Sequence, residues 1–132
     1  MPAAGGAIGG HNAPMSPLLM LALADAIPLV EERGWALPSS AAVAEAEHLL
    51  ALVAPLGREP MAEAQPDGAI AFEWEAADAG WLRLSVDGSG RLAHSAVIAG
   101  DEYEQVEDFA STAAELPGWA AELLRKLMAV GH

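Results

Sequence analysis

Large apolar residues alternate with small or charged residues between positions 69 and 98, and this alternation restricts the possible folds more than any other feature of the sequence. Ile70, Phe72 and Trp74 are separated by alanine and glutamate, and a similar pattern recurs over residues 82–86. A period of two is typical of a strand that buries one face and exposes the other. We therefore predict strands over residues 69–75, 82–86 and 92–98, with a fourth over 103–106.

Two short segments rich in aspartate and glycine punctuate these strands. Asp87-Gly88-Ser89-Gly90 lies between the second and third strands, and Pro66-Asp67-Gly68 precedes the first. Glycine tolerates the positive φ angles that tight hairpin turns require. Strands joined by such short turns are antiparallel neighbours, so the sequence predicts an antiparallel sheet.

Helical spacing of apolar residues precedes and follows the predicted strands. Ser16 is suited to cap a helix over residues 17–33, and either Ser39 or Ser40 is suited to cap a second helix that reaches about Val53. A third helix is predicted over residues 118–130. Its expected apolar face consists of Leu116, Trp119, Leu123, Leu127 and Val130.

Two connecting segments also carry local signals. Pro55, Gly57 and Pro60 predict a loop between the second helix and the first strand. Asp108 is suited to cap a short additional helix over residues 109–115. We expect the C-terminal part of the chain to be helical from there onward.

The order of these elements predicts a two-layer α+β domain over residues 15–132. An antiparallel sheet of three to four strands is expected to carry its large apolar side chains on one face, which the N- and C-terminal helices cover. A chain of 132 residues is close to the commonest size of one domain. Residues 1–14 are mostly glycine, alanine and proline, and we expect a flexible tail there.

Two motifs of the predicted sheet carry a resemblance. The segment PDGAIAFEW, from Pro66 to Trp74, is followed by Asp87-Gly88-Ser89-Gly90-Arg91-Leu92. This pair resembles a group of small uncharacterised bacterial proteins, in which a PDG-x-I-x-x-EW strand precedes a hairpin that begins with DG. The resemblance covers roughly residues 18–127. It implies one compact domain of bacterial or phage origin and no particular activity.

Charge and cysteine content argue against several kinds of function. The net charge is −13, from 19 acidic residues against 6 basic ones, so we expect no direct binding of nucleic acid. The absence of cysteine excludes thiolate metal sites and disulfides. The longest apolar run, over residues 17–30, is interrupted by Asp25 and Pro28, and a membrane span needs about 20 apolar residues. We expect a cytoplasmic protein without membrane contact.

The histidines and carboxylates show no catalytic pattern. No pair of histidines has metal-ligand spacing, so we expect neither a metal nor another cofactor. His94 is either a general base assisted by Asp87 or Glu73, or an ordinary histidine at the edge of the core. No nucleophile motif accompanies it, which favours the second interpretation. Alternation explains Glu73 and Glu75 as the solvated face of a strand. We therefore predict that the protein is not an enzyme and has no catalytic residues.

The most distinctive segment is 101–108, in which five of eight residues are acidic and one is aromatic. Acidic residues in this position either prevent an edge strand from aggregating or form a surface for a basic partner. The predicted partner-binding residues are Asp101, Glu102, Tyr103, Glu104, Glu107, Asp108, Glu73 and Glu75.

These observations predict a non-catalytic module that binds a basic protein partner, as a bacterial or phage inhibitor, an antitoxin-like regulator or an accessory subunit. One alternative is a nucleic-acid mimic of the anti-restriction or anti-CRISPR kind, although 19 acidic residues in 132 is a modest number for a mimic. Another alternative is a small enzyme whose site follows no familiar motif.

Overall fold

The computed structural model describes residues 16–56 and 58–130, so the tail predicted over residues 1–14 lies outside the described residues. Helix α1 spans Pro17–Arg33, α2 spans Ser40–Val53 and α3 spans Gly118–Val130. The hydroxyl groups of Ser16 and Ser39 accept hydrogen bonds from backbone N–H groups in the first turns of α1 and α2. The predicted cap of α1 is therefore confirmed, and Ser39 is the cap of α2 among the two serines considered. None of the three helices described is long and apolar enough to cross a membrane.

Five strands lie between α2 and α3. They are β1 (Met61–Ala64), β2 (Ile70–Glu75), β3 (Gly80–Val86), β4 (Arg91–Ile98) and β5 (Asp101–Asp108). Each strand pairs antiparallel with the next one in the chain, so the spatial order is β1-β2-β3-β4-β5. The predicted α+β class and antiparallel sheet are confirmed, with five strands instead of three to four.

The additional strand is β1, which lies where the sequence predicts a loop. Three of its four residues are alanine or glutamate, which are uncommon in strands, so local preference did not indicate it. Pairing with β2 forms the strand, since Ala64 lies opposite Ile70 and Met61 lies opposite Glu73. The predicted turn before β2 closes this hairpin, and Gly68 within it has a φ of 90° that suits glycine.

The segment after β5 is not a helix, which corrects the prediction of a helix over residues 109–115 capped by Asp108. The backbone N–H of Phe109 donates to the carbonyl oxygen of Gly90 at 2.7 Å, so the ladder with the β4 side continues past Asp108. The buried ring of Phe109 stacks on the ring of His48 in α2, with 5.4 Å between the ring centroids. Tertiary packing of one aromatic side chain therefore overrides the local capping signal.

The helices lie against one face of the sheet, as predicted. Helix α1 contacts β1, α2 contacts β2 and β3, and α3 contacts β3 and β4. Phe72 and Leu84 of the sheet are fully buried in one core with Leu19, Leu49 and Leu127 of the helices. Removal of these apolar side chains from water is the main favourable contribution to folding.

Only part of the apolar face predicted for α3 points inward. Leu123 and Leu127 are buried, but Trp119 is 53% exposed and Val130 is 43% exposed. The buried positions 120, 123, 124 and 127 follow the spacing of a single helical stripe, and Trp119 and Val130 fall beside that stripe. The prediction that these two residues belong to the core is therefore wrong.

We expect Phe72→Ala to lower the free energy of unfolding by about 3–5 kcal/mol, because the change removes a fully buried ring and leaves a cavity in the core. Denaturation by urea, followed by tryptophan fluorescence, measures this free energy. Glu75→Ala on the same strand is the control, and its exposed side chain should contribute less than about 0.5 kcal/mol. A loss below about 1 kcal/mol for Phe72→Ala would contradict the placement of the core.

Candidate functional site

The sheet has a second face, which lies opposite the helices and which we call the open face. Side chains alternate along each strand, and the strand register arranges those of the open face in rows across the sheet. The rows are Glu75, Trp81, Val97 and Glu102; then Met61, Glu73, Arg83, Ser95 and Glu104; then Glu63, Ala71, Ser85, Ala93 and Val106; and finally Arg91 and Asp108.

The residues that β3 and β4 contribute to these rows are mostly small or apolar, apart from Arg83 and Arg91, and the carboxylates lie on β1, β2 and β5. Trp81 is 36% exposed and separates Glu75 from the strands that follow. A depression of 340 Å³ lies beside Trp81 and Glu104, and one of 600 Å³ lies beside Ser85 and Val106. The open face therefore combines an indented surface of mixed polarity with carboxylates on the strands at either side.

Five of the eight predicted partner-binding residues lie on this face. Glu102, Glu104 and Asp108 of β5 share it with Glu73 and Glu75 of β2. The other three residues, at positions 101, 103 and 107 of β5, are on the opposite side because side chains alternate along a strand. The structure thus places carboxylates of two strands on one face of the sheet, with β3 and β4 between them.

Asp101 and Tyr103 lie on the helix side of β5. Tyr103 is half-buried and packs against the core, opposite Ala96 of β4. Asp101 is exposed beside the hairpin turn and lies opposite Ile98. Tyr103 therefore helps to hold β5 onto the rest of the sheet.

Glu107 is engaged inside the fold. Its two carboxylate oxygens accept hydrogen bonds from the backbone N–H groups of Trp119 and Ala120, at 3.1 and 3.0 Å. These N–H groups belong to the first turn of α3, where no helical carbonyl is available to accept from them and where the helix dipole favours a negative charge. Glu107 thus caps α3 from the neighbouring strand.

The same carboxylate lies beside the imidazole of His94, which is only 3% exposed. The Nε2 atom of His94 is 3.5 Å from Oε2 of Glu107, and neither ring nitrogen has a hydrogen-bond partner among the described residues. Burial lowers the pKa of His94 from its ordinary value of 6.5, and the negative charge of Glu107 opposes only part of this shift. The imidazole is therefore neutral at neutral pH.

The partners considered for a catalytic His94 lie elsewhere. Glu73 is on the open face, across the sheet from the imidazole. Asp87 lies in the turn between β3 and β4, where hydrogen bonds from Ser89 lower the pKa of its carboxyl group. Within residues 16–56 and 58–130, no group of three histidine, aspartate or glutamate side chains is arranged to hold a metal ion.

Glu45 of α2 has a structural role that the sequence did not indicate. Its carboxylate accepts hydrogen bonds from the backbone N–H groups of Gly88 and Gly90, at 2.8 and 2.7 Å. Both glycines belong to the turn between β3 and β4, whose N–H groups would otherwise need water. A helix carboxylate therefore fixes the position of this hairpin over the core.

Few basic side chains compensate the carboxylates of the open face. Arg83 pairs with Glu73, with 2.9 Å between Nη2 and Oε1, and an exposed pair of this kind contributes little to stability. No ion pair found in the described part of the chain involves Glu75, Glu102 or Glu104. These charges are therefore available to a partner.

We expect Glu107→Ala to lower the free energy of unfolding by about 1–2 kcal/mol, because the N–H groups of Trp119 and Ala120 lose their acceptor. Urea denaturation measures the effect. Glu104→Ala removes a carboxylate from the same strand without removing such a bond, and it should cost less than about 0.5 kcal/mol. Equal losses for the two variants would argue against the cap.

We also expect His94 to make stability depend on pH. Its pKa is lower in the folded state than in the unfolded chain, so the unfolded chain binds more protons as the pH falls below about 6.5. The stability that neutral His94 provides above this pH is therefore lost as the pH falls toward the lowered pKa. Between about pH 7.5 and about pH 5, the wild type should lose more stability than His94→Leu, which cannot titrate there. Superimposable pH profiles of the two unfolding free energies would refute this.

The site best supported by the described residues is the open face, where six carboxylates lie on the same side of the sheet as the exposed side chains of Trp81 and Val106. The buried pair of His94 and Glu107 serves the fold. No protein-family model, curated protein or solved structure matches the chain.

Proposed function

We propose that this protein is a non-catalytic interaction module whose open face binds a basic surface of another protein. One observation carries the proposal: Glu102, Glu104 and Asp108 of β5 share with Glu73 and Glu75 of β2 the sheet face that no described helix covers. Like charges gathered on one face repel each other and add nothing to the core. A partner of opposite charge would compensate the repulsion between these carboxylates.

Electrostatics favours a basic partner. The chain has a net charge of −13, and Arg83 and Arg91 are the basic residues of the open face. A surface of one sign attracts and orients a partner of the opposite sign during diffusional encounter. Mobile ions screen this attraction beyond about 8 Å at physiological ionic strength, so binding should weaken as salt is added.

Apolar side chains give the surface contacts that charge alone does not provide. Trp81 is partly exposed beside Val97, and Val106 is 60% exposed on the edge strand β5. Tryptophan is common among the few residues that dominate binding free energy, and a surrounding rim of polar groups keeps water away from such a residue. Trp81, with polar and acidic side chains around it, resembles this arrangement.

The mixed character of the face favours a protein as the bound molecule. A mimic of nucleic acid would present carboxylates throughout its surface, whereas Trp81 and Val97 interrupt the acidic residues here. A protein of this kind acts by occupying its partner, as an inhibitor, an antitoxin-like regulator or an accessory subunit does. The burial of His94 supports a non-catalytic role, because a substrate cannot reach its ring.

Charge reversal on β5 tests the proposal. Partners captured on the immobilised wild type are identified and purified, and their Kd values are measured for Glu102→Lys/Glu104→Lys. We expect the double variant to bind at least about tenfold more weakly, because each reversal replaces an attraction by a repulsion and about 1.4 kcal/mol corresponds to tenfold. Binding of the wild type should also weaken as the salt concentration rises.

The matched control is Glu31→Lys/Glu32→Lys, which changes the net charge by the same amount. Glu31 and Glu32 are exposed in the last turn of α1, remote in the chain from the open face. The control should bind as the wild type does. Equal Kd values for the wild type and Glu102→Lys/Glu104→Lys would rule out the open face as the binding surface.

A further inference from the structure

We propose that the partner adds an extended basic segment to the free edge of β5, as a sixth strand of the sheet. This inference rests on the proposed function and specifies how the partner is held. Strand addition at a sheet edge is a common mode of peptide recognition, in which backbone hydrogen bonds supply affinity and alternate side chains supply specificity.

The hairpin between β4 and β5 determines which backbone groups of β5 are paired. Ala99 and Gly100 form a two-residue turn, both with positive φ, and Ile98 lies opposite Asp101. In such a hairpin the residues that flank the turn exchange both backbone hydrogen bonds, and every second pair along the ladder does the same. Residues 101, 103, 105 and 107 therefore direct their N–H and C=O groups toward β4.

The far end of the ladder agrees with this assignment. The N–H of Phe109 donates to the carbonyl oxygen of Gly90, which continues the series of odd-numbered β5 positions. The backbone groups of Glu102, Glu104 and Val106 consequently point away from β4, to the outside of the sheet. No backbone hydrogen bond found among the described residues, apart from that ladder, reaches these three residues.

Acidic side chains are the feature of the outer edge of β5 that opposes pairing, and a basic segment would neutralise them. Other protected edges are short, bulged, covered, or interrupted by proline or lysine. Strand β5 has eight residues without proline or lysine, and its register with β4 runs without a bulge. The strand at the opposite edge, β1, has only four residues and packs against α1.

The negative charges of β5 determine which kind of segment can pair with its outer edge. Glu102 and Glu104 expose their outward backbone groups and their carboxylates together, so a segment with lysine or arginine at alternate positions would satisfy both. A second copy would instead place the same carboxylates opposite each other, which is destabilising. Residues 1–15 contain no lysine or arginine, so the N-terminal part of this chain does not supply the complementary charge.

Amide hydrogen exchange distinguishes strand addition from simple charge attraction. The probe is a synthetic peptide of about nine residues that alternates lysine with threonine, long enough to pair along β5. In the free protein, the amides of Glu102, Glu104 and Val106 should exchange rapidly, and those at positions 103, 105 and 107 should be protected. The peptide should slow exchange of the first set by about tenfold or more, because only those amides gain acceptors.

A proline substitution tests the same hydrogen bonds. Val106→Pro removes an N–H that faces outward and leaves both the ladder with β4 and every charge unchanged, and proline is tolerated at such edge positions. Val106→Ala shortens the side chain but keeps the N–H. We expect Val106→Pro to bind the peptide about tenfold more weakly than Val106→Ala, since about 1.4 kcal/mol is within the range of one or two hydrogen bonds. Near-ultraviolet circular dichroism reports whether each variant is folded.

The outcomes separate this inference from the function on which it rests. If the peptide binds but the outward amides still exchange rapidly, strand addition is wrong, while loss of partner binding by Glu102→Lys/Glu104→Lys still supports the acidic surface. If those amides become protected without peptide as protein concentration rises, the occupant is a second copy and the inference is overturned. Failure of the wild type to bind the peptide also overturns it. The exchange measurement uses the wild type, so it decides even if Val106→Pro does not fold.

Discussion

Most large apolar side chains of β2, β3 and β4 point to one side of the sheet, and every helix described packs there, while Trp81 and Val97 lie on the open face. Because each strand pairs with the next one in the chain, the five strands form the sheet without a crossover connection. The alternation that builds the core therefore also leaves the second face mostly to small and polar residues. The core and the open face both result from the alternation of side chains along the strands. The open face is acidic because glutamate and aspartate occupy many of the alternate positions that do not point into the core.

Much of the fold was predictable because its signals are local. The serines that cap α1 and α2, the alternation around Phe72 and the glycines after Asp87 each act within a few residues. The failures concern segments whose structure depends on distant partners. Strand β1 forms because it pairs with β2. The segment that begins at Phe109 is not helical because Phe109 stacks on His48, which is far away in the chain.

The candidate site was predictable in composition and only partly in geometry. Alternation correctly predicts that Glu75 lies on an exposed face. The prediction of one binding surface over residues 101–108 is only partly right, because side chains in this segment alternate between the two sides of β5. Glu107 binds N–H groups twelve and thirteen residues later in the chain, and Glu45 binds a turn more than forty residues away. No local pattern distinguishes such carboxylates from solvated ones, since their partners are backbone groups that only the fold brings near.

The position of α3 after the whole sheet has a consequence for biosynthesis. Hairpins form within about 1–10 μs, so the sheet can assemble as its strands leave the ribosome. Helix α3 covers parts of β3 and β4, and it follows β5 by a stretch of chain that takes about one to a few seconds to translate. During this interval the apolar side of β4, including Leu92 and Ile98, is without its helix. The strong negative charge of the nascent chain then repels neighbouring chains, so the acidic residues oppose aggregation before folding is complete.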